Sequence, residues 1–197
     1  MIFLNPNTKQ YVNSRLDIIF KKTRTRVKYF FLAILISIEL FASFDNITSF
    51  EADFTQSITD DKNKTLVYSG HIVALKPQNA KWSYIKPVKK DVFINDFEVT
   101  IVEPEIEQVI VRKLESNFDF FKMISNAKKI EENKYLTHYK DSKFTIIKNG
   151  SLIESISYLD EFENRIKIVF KNQKQNQAIN KAVFTPLFPL NFDIIRD

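Results

Sequence analysis

The sequence predicts a mainly β domain with an antiparallel sheet and few helices. Three observations lead there. Several runs alternate with period two and are dense in β-branched and aromatic residues, as strands prefer. Turn residues fall between them, above all Asn149-Gly150, the strongest short hairpin signal in the chain. Most gaps hold no helix, so neighbouring runs join as antiparallel meanders and not as a parallel sheet.

Taken in order, residues 1–42 read as a secretory signal peptide. Lys21, Lys22, Arg24, Arg26 and Lys28 precede the apolar run YFFLAILISI (29–38), and ELFAS (39–43) offers a small-residue cleavage site at Ala42 or Ser43. Ten apolar residues fall short of the ~20 that span a bilayer. The segment is longer than a signal needs. Val27 followed by KYFFLAIL reads as the true start, which an alternative initiation codon would produce. Residues 43–197 then form one domain with its own core, without repeat, low-complexity segment or linker.

In that domain, Phe44, Ile47, Phe50 and Phe54 have helical spacing, which predicts a short helix leading into a strand. KTLVYSGHIVAL (64–75) is the first clear strand. It carries Leu66, Tyr68, Ile72 and Ala74 on one face and Val67, Val73 and Leu75 on the other. In LKPQNAKWSYIKP (75–87), alternation gives Trp82 and Tyr84 one face and Lys81 the other. DVFIN (91–95), EVTIV (98–102) and QVIVRK (108–113) follow as strands. SNFDFFKMISNAKK (116–129) predicts a helix with Asn117 as N-cap and a wide apolar face. KFTIIK (143–148), SLIESISYL (151–159) and RIKIVF (165–170) complete the strands. TPLFPL (185–190), with two prolines, is expected to be irregular. Apolar residues on both faces of a strand require cover on both sides. A curved sheet with a lidded apolar hollow and an ordinary two-layer core both meet that requirement.

Composition removes several function classes. Gly70 and Gly150 are the only glycines, too few for a Gly-rich phosphate loop. There is no cysteine, hence no disulfide, thiolate metal site, thiol nucleophile or lipidated cysteine. Seven of the 29 Lys/Arg and two of the 24 Asp/Glu lie in residues 1–42, so residues 43–197 carry 22 of each. The basic balance belongs to the signal segment, and nucleic-acid binding loses its electrostatic footing. His71 and His138 stand singly on strands without ligand spacing, and Asp60, Asp61, Asp160 and Glu161 fall in turns, where Asp is favoured for backbone reasons. No nucleophile–base arrangement is present, so neither an enzyme nor a cofactor or metal is expected.

The series SFEADFTQ (49–56), SG (69–70), KP...KW.Y..P (76–87), the hairpin ISYLDEFENRIKIVF (156–170) and the ending AVFTPLFPLNFDII (182–195) resembles the LolA family of periplasmic lipoprotein carriers, over essentially the whole of residues 43–197. The resemblance implies an incomplete, strongly curved antiparallel β-barrel whose apolar concave face is closed by short lid helices. It implies a non-catalytic, monomeric carrier in the periplasm. Its cargo would be the acyl chains of triacylated lipoproteins, received from an inner-membrane ABC transporter of the LolCDE type and passed to an outer-membrane acceptor.

Carried onto this chain, the resemblance implies a lipid-binding cavity and lid formed by Trp82, Tyr84, Tyr68, Ile72, Phe118, Phe120, Phe121, Met123 and Ile124. Lys76 stands where the family usually has an arginine that hydrogen-bonds lid carbonyls, and lysine lacks the planar fork of donors. Ala80 stands where the family often has a large aromatic on a partner-facing surface. The first lid helix has little room, because only about seven residues separate the cleavage site from Phe50. The same fold could serve a periplasmic lipid- or glycolipid-binding protein. A LolB-like acceptor would need the lipidated cysteine this chain lacks, and a sensor on this fold would need a second domain.

Overall fold

The computed structural model describes residues 44–95, 97–113 and 119–196. The expected signal segment lies outside them, as do the expected cap Asn117 and the expected cavity residue Phe118. Twelve strands follow one another as β1 (Ser49–Thr59), β2 (Thr65–Leu75), β3 (Asn79–Lys86), β4 (Lys90–Asn95), β5 (Glu98–Glu103), β6 (Gln108–Lys113), β7 (Lys128–Glu131), β8 (Lys134–Tyr139), β9 (Ser142–Asn149), β10 (Leu152–Leu159), β11 (Arg165–Gln175) and β12 (Asp193–Arg196). The α-helix α1 (Phe120–Ser125) lies between β6 and β7, and a 3-10 turn, Phe44–Asn46, precedes β1.

All twelve strands form a single sheet in the order β12-β6-β5-β4-β3-β2-β1-β11-β10-β9-β8-β7. It is two antiparallel meanders, β1 to β6 and β7 to β11, joined where β1 pairs with β11. Antiparallel pairing holds everywhere except at one edge, where β12 runs parallel to β6 with Ile194 opposite Val109. Gly150 supplies the positive φ that the Asn149-Gly150 hairpin needs. Gly70 is required for a different reason. A Cβ there would sit 2.1 Å from the Ser83 carbonyl oxygen and 2.8 Å from the Phe54 ring.

Two local expectations are corrected. The helical spacing of Phe44, Ile47, Phe50 and Phe54 yields only the three-residue turn, and Phe50 and Phe54 lie in β1. Phe50, Ala52, Phe54 and Gln56 are buried and Asp53 and Thr55 exposed, so the period-two burial available between β2 and β11 outcompetes a lone helix. The helix expected over 116–129 is six residues long. Its N-cap is Asp119, whose side chain accepts the Lys122 backbone N–H, and residues 128–131 are already strand. The strands β7, β8 and β12 carry no clear period-two signal in the sequence.

Cross-strand register places Phe54, Ile72, Trp82, Val92, Ile168, Ile156 and Phe144 on one face of the sheet. The main core gathers on that face, closed over by Phe44 of the 3-10 turn and by Phe120, Phe121, Met123 and Ile124 of α1. The opposite face is covered over β4–β6, where Phe93, Val102 and Val109 pack under Phe188 and Phe192 of the proline-rich segment. Val67, which pattern reading assigned to a face needing cover, stays 55% exposed.

Candidate functional site

The sheet's curvature follows from what one cavity touches. Val92 and Ile94 of β4 and Tyr139 of β8 line the same cavity of about 370 Å³. Those strands are seven neighbours apart, which in a flat sheet is about 34 Å at ~4.8 Å per strand. Only a sheet curled toward a barrel brings them around one space of that size, and β7 and β12, which do not pair with each other among the described residues, leave it incomplete.

The cavity wall is built by alternation. Ile72, Ala80, Trp82, Tyr84, Phe144, Ile156, Tyr158 and Ile168 point inward from β2, β3, β9, β10 and β11. Phe54 holds the β3 aromatics in place, its ring edge-on to Trp82 at 5.0 Å and to Tyr84 at 5.1 Å between centroids. Few polar groups face the space, and those with resolved partners are tied down. The Tyr84 hydroxyl donates to Gln56 Oε1 at 3.0 Å. Burial pushes the Tyr84 phenol up to about 12, with the nearby Tyr158 and Tyr68 adding to it, and burial also raises Tyr158. Both rings therefore present neutral hydroxyls at neutral pH.

The other wall is α1. Phe120, Phe121 and Met123 line the cavity. Phe120 also stacks on Phe50 (5.5 Å) and Phe121 (5.4 Å). Two lysines hold this side. Lys76 Nζ donates to the Asp45 carbonyl of the 3-10 turn at 3.0 Å and lies 5.8 Å from the Phe121 ring centroid. Lys148 is 6% exposed on the inner face of β9, its Nζ 4.9 Å from the Phe44 ring centroid and 5.6 Å from that of Tyr135. Burial lowers its pKa. The 3-10 turn is thus gripped from one side through a backbone carbonyl and from the other through Phe44.

Of the residues singled out from sequence, Trp82, Tyr84, Ile72, Phe120, Phe121 and Met123 border the cavity. Tyr68 stands one ring behind, edge-on to Tyr84 at 5.8 Å. Ile124 is fully buried in the core beneath α1, away from the cavity lining. Ala80, expected on a partner-facing surface, is buried in the cavity wall between its cross-strand partners Ala74 and Ile94. Gln56, Tyr139, Phe144 and Tyr158 also line the cavity and Lys148 flanks the 3-10 turn, with no motif in the sequence to mark them. Parity exposes the last of these, because Phe144, Ile146 and Lys148 share one face of β9.

His71 lies on the other face of the sheet. Its Nδ1 is 2.8 Å from Asp53 Oδ1, Asp53 also accepts Asn172 Nδ2 at 2.7 Å, and Glu51 Oε1 meets Lys174 Nζ at 3.1 Å. The Asn172 and His71 contacts lower the Asp53 pKa. Among the described residues no group of His, Cys, Asp and Glu could hold a metal ion.

Comparison with known proteins places this architecture. The family model described as outer membrane lipoprotein carrier protein LolA matches residues 45–137. The chain is 43% identical to the outer-membrane lipoprotein carrier protein of Campylobacter jejuni over 158 residues, 80% of this chain and 92% of that protein. It is 30% identical to the protein so named in Wolinella succinogenes (79% of this chain, 91% of that protein) and 32% identical to that of Helicobacter pylori strain HPAG1 (77% and 82%). With a curled, incomplete barrel and an apolar cavity walled on one side by a small helix, the chain belongs to the LolA family of outer membrane lipoprotein carrier proteins.

Proposed function

We propose that this protein carries lipoproteins across the periplasm by sheltering their acyl chains in the apolar cavity, without a chemical step. The observation that carries the reading is the cavity of about 370 Å³, walled by aromatic and aliphatic side chains of both the sheet and α1. Acyl chains enter it as α1 and the 3-10 turn withdraw.

That withdrawal also answers an energetic problem. Burial of a methylene contributes about 0.8 kcal/mol, so a long acyl chain in an open preformed groove would not leave. Here its entry displaces Phe120, Phe121 and Met123 from contacts they already make, and net affinity is the difference between the two sets. Lys76, gripping the Asp45 carbonyl, sets part of that cost. Phe118 belongs to the same proposed lid by its position in the sequence. Export by residues 1–42, receipt from a LolCDE-type transporter and delivery to an outer-membrane acceptor complete the proposal.

The test is depletion of the protein followed by envelope fractionation. Outer-membrane lipoproteins should accumulate at the inner membrane. Unchanged delivery would overturn the carrier reading, and recovery of the purified protein with phospholipid or glycolipid in place of lipoprotein would move it to a different cargo.

A further inference from the structure

Two hairpin tips at one end of the sheet present a surface that cavity and lid do not use. Residues 61–67, from the β1–β2 turn into β2, and residues 85–89, from the end of β3 through the β3–β4 turn, are exposed without interruption. Register puts them side by side. Ser69 of β2 pairs with Lys86 of β3, and Tyr84 pairs with Lys90 of β4, so both turns project from the same end on neighbouring strands.

Both tips expose aliphatic side chains among lysines, whereas the exposed Phe162 and Ile106 of the neighbouring turns sit among acids. Leu66 (59%), Val67 (55%), Ile85 (53%) and Val88 (43%) stand in solvent, interleaved with exposed Lys62, Lys64, Lys86 and Lys89. Of the nearby acids, Asp60 Oδ1 accepts the Lys64 backbone N–H at 2.8 Å, and Asp91 pairs with Lys81 Nζ at 3.2 Å. Asp60, whose partner is an uncharged amide, and Asp61 together add two negative charges against four lysines, which leaves a local excess of two positive charges. The β5–β6 and β10–β11 turns at the same end instead carry Glu105, Glu107, Asp160, Glu161 and Glu163. A domain of zero formal charge has thus gathered positive charge on the β1–β4 side of one end.

We propose that these two tips dock on an anionic phospholipid surface. Protruding aliphatic side chains flanked by lysines match the boundary between acyl chains and negatively charged headgroups. A nucleic-acid site would instead call for stacking aromatics along a groove, and the two exposed tips contain none. The placement has a use. Ile85 directly follows the cavity residue Tyr84, and Lys90 Nζ lies 5.0 Å from the Tyr84 ring centroid. A seated tip therefore sets the Tyr84 wall of the cavity against lipid. Vesicle docking can be read without any cargo, so its failure is distinguishable from failure of the carrier reading.

Because the chain has no cysteine, single labels can be placed at will. Val88→Cys and, at the opposite end in the β9–β10 turn, Ser151→Cys would each carry a polarity-sensitive nitrobenzoxadiazole dye. On vesicles of phosphatidylglycerol and phosphatidylethanolamine, the label at 88 should shift to the blue and the label at 151 should not. Phosphatidylcholine vesicles should give no shift. Each lysine near an anionic surface strengthens binding about fivefold, so adding Lys86→Gln and Lys89→Gln should raise the lipid concentration for half-maximal shift about 25-fold. A silent label at 88, as expected if the tips meet a protein acceptor, would overturn the proposal. So would a shift indifferent to vesicle charge and to both lysines.

Discussion

Replacement of Lys76 by methionine tests the proposed latch. Methionine keeps an apolar stem of similar reach but loses the ammonium that donates to the Asp45 carbonyl at 3.0 Å. A hydrogen bond from a charged donor contributes about 1.5–3 kcal/mol, and the half-buried position of Lys76 argues for the lower end. The cation–π contact to Phe121, at 5.8 Å, is near the limit of its ~6 Å reach and adds about 0.5 kcal/mol. Loss of both lowers the cost of opening by about 2 kcal/mol. Where the closed form dominates, apparent affinity scales with the open fraction, so acyl-chain binding should tighten about 30-fold. Equilibrium titration with a fluorescent triacylated lipopeptide measures this, and its dissociation rate should slow in step. Lys76→Arg should bind no more tightly than the parent, because its fork offers more donors to the same carbonyl. Unchanged lipopeptide affinity in Lys76→Met, with a lowered unfolding midpoint, would show that Lys76 supports the fold and not the lid.

Three further outcomes follow from the packing and the titrating groups. Gly70→Ala should lower the urea midpoint severely or prevent folding, since the new methyl meets the Ser83 backbone oxygen and the Phe54 ring. Phe50→Ala, at a fully buried side chain touching Phe120 and Phe170, should cost about 3–5 kcal/mol in the same measurement. The Tyr84 phenol, raised from 10.0 to about 12, stabilises the fold fully below the unfolded value. Stability should therefore fall from about pH 10 to about pH 12, where the unfolded chain has lost a proton that the folded one keeps, and Tyr84→Phe should remove that part of the decline.

The strands were legible wherever burial on one face alternates with exposure or pairing on the other. β2, β9 and β11 announce themselves because each has both sheet neighbours and an apolar inner face. At β1 the sequence is ambiguous in itself. Phe50 and Phe54 are four apart, which suits a helix turn and a strand face equally, and only pairing with two partners decides. α1 is too short for periodicity to delimit, and Asn117 and Asp119 are both acceptable caps by residue type. β12 has no local signal at all, since it exists through pairing with a segment more than eighty residues earlier. At the site, the inward aromatics of β3 could be read from alternation. The separation of Ile124 from Phe121 could not, because it depends on which side of α1 meets the cavity and which meets the core.

The two ends of this sheet bear on how the protein behaves among copies of itself. An unclosed sheet has two rows of unpaired backbone groups, and each is a template for another strand. Here both terminal strands are four residues long. β7 is Lys-Lys-Ile-Glu, exposed throughout, and β12 begins with Asp193 and ends with Arg196. β12 also covers β6, whose Gln-Val-Ile-Val-Arg-Lys run is the better template for self-pairing. The final strand thus serves colloidal stability more than shape. Without it, chains would be expected to join edge to edge through β6, with the cavity untouched.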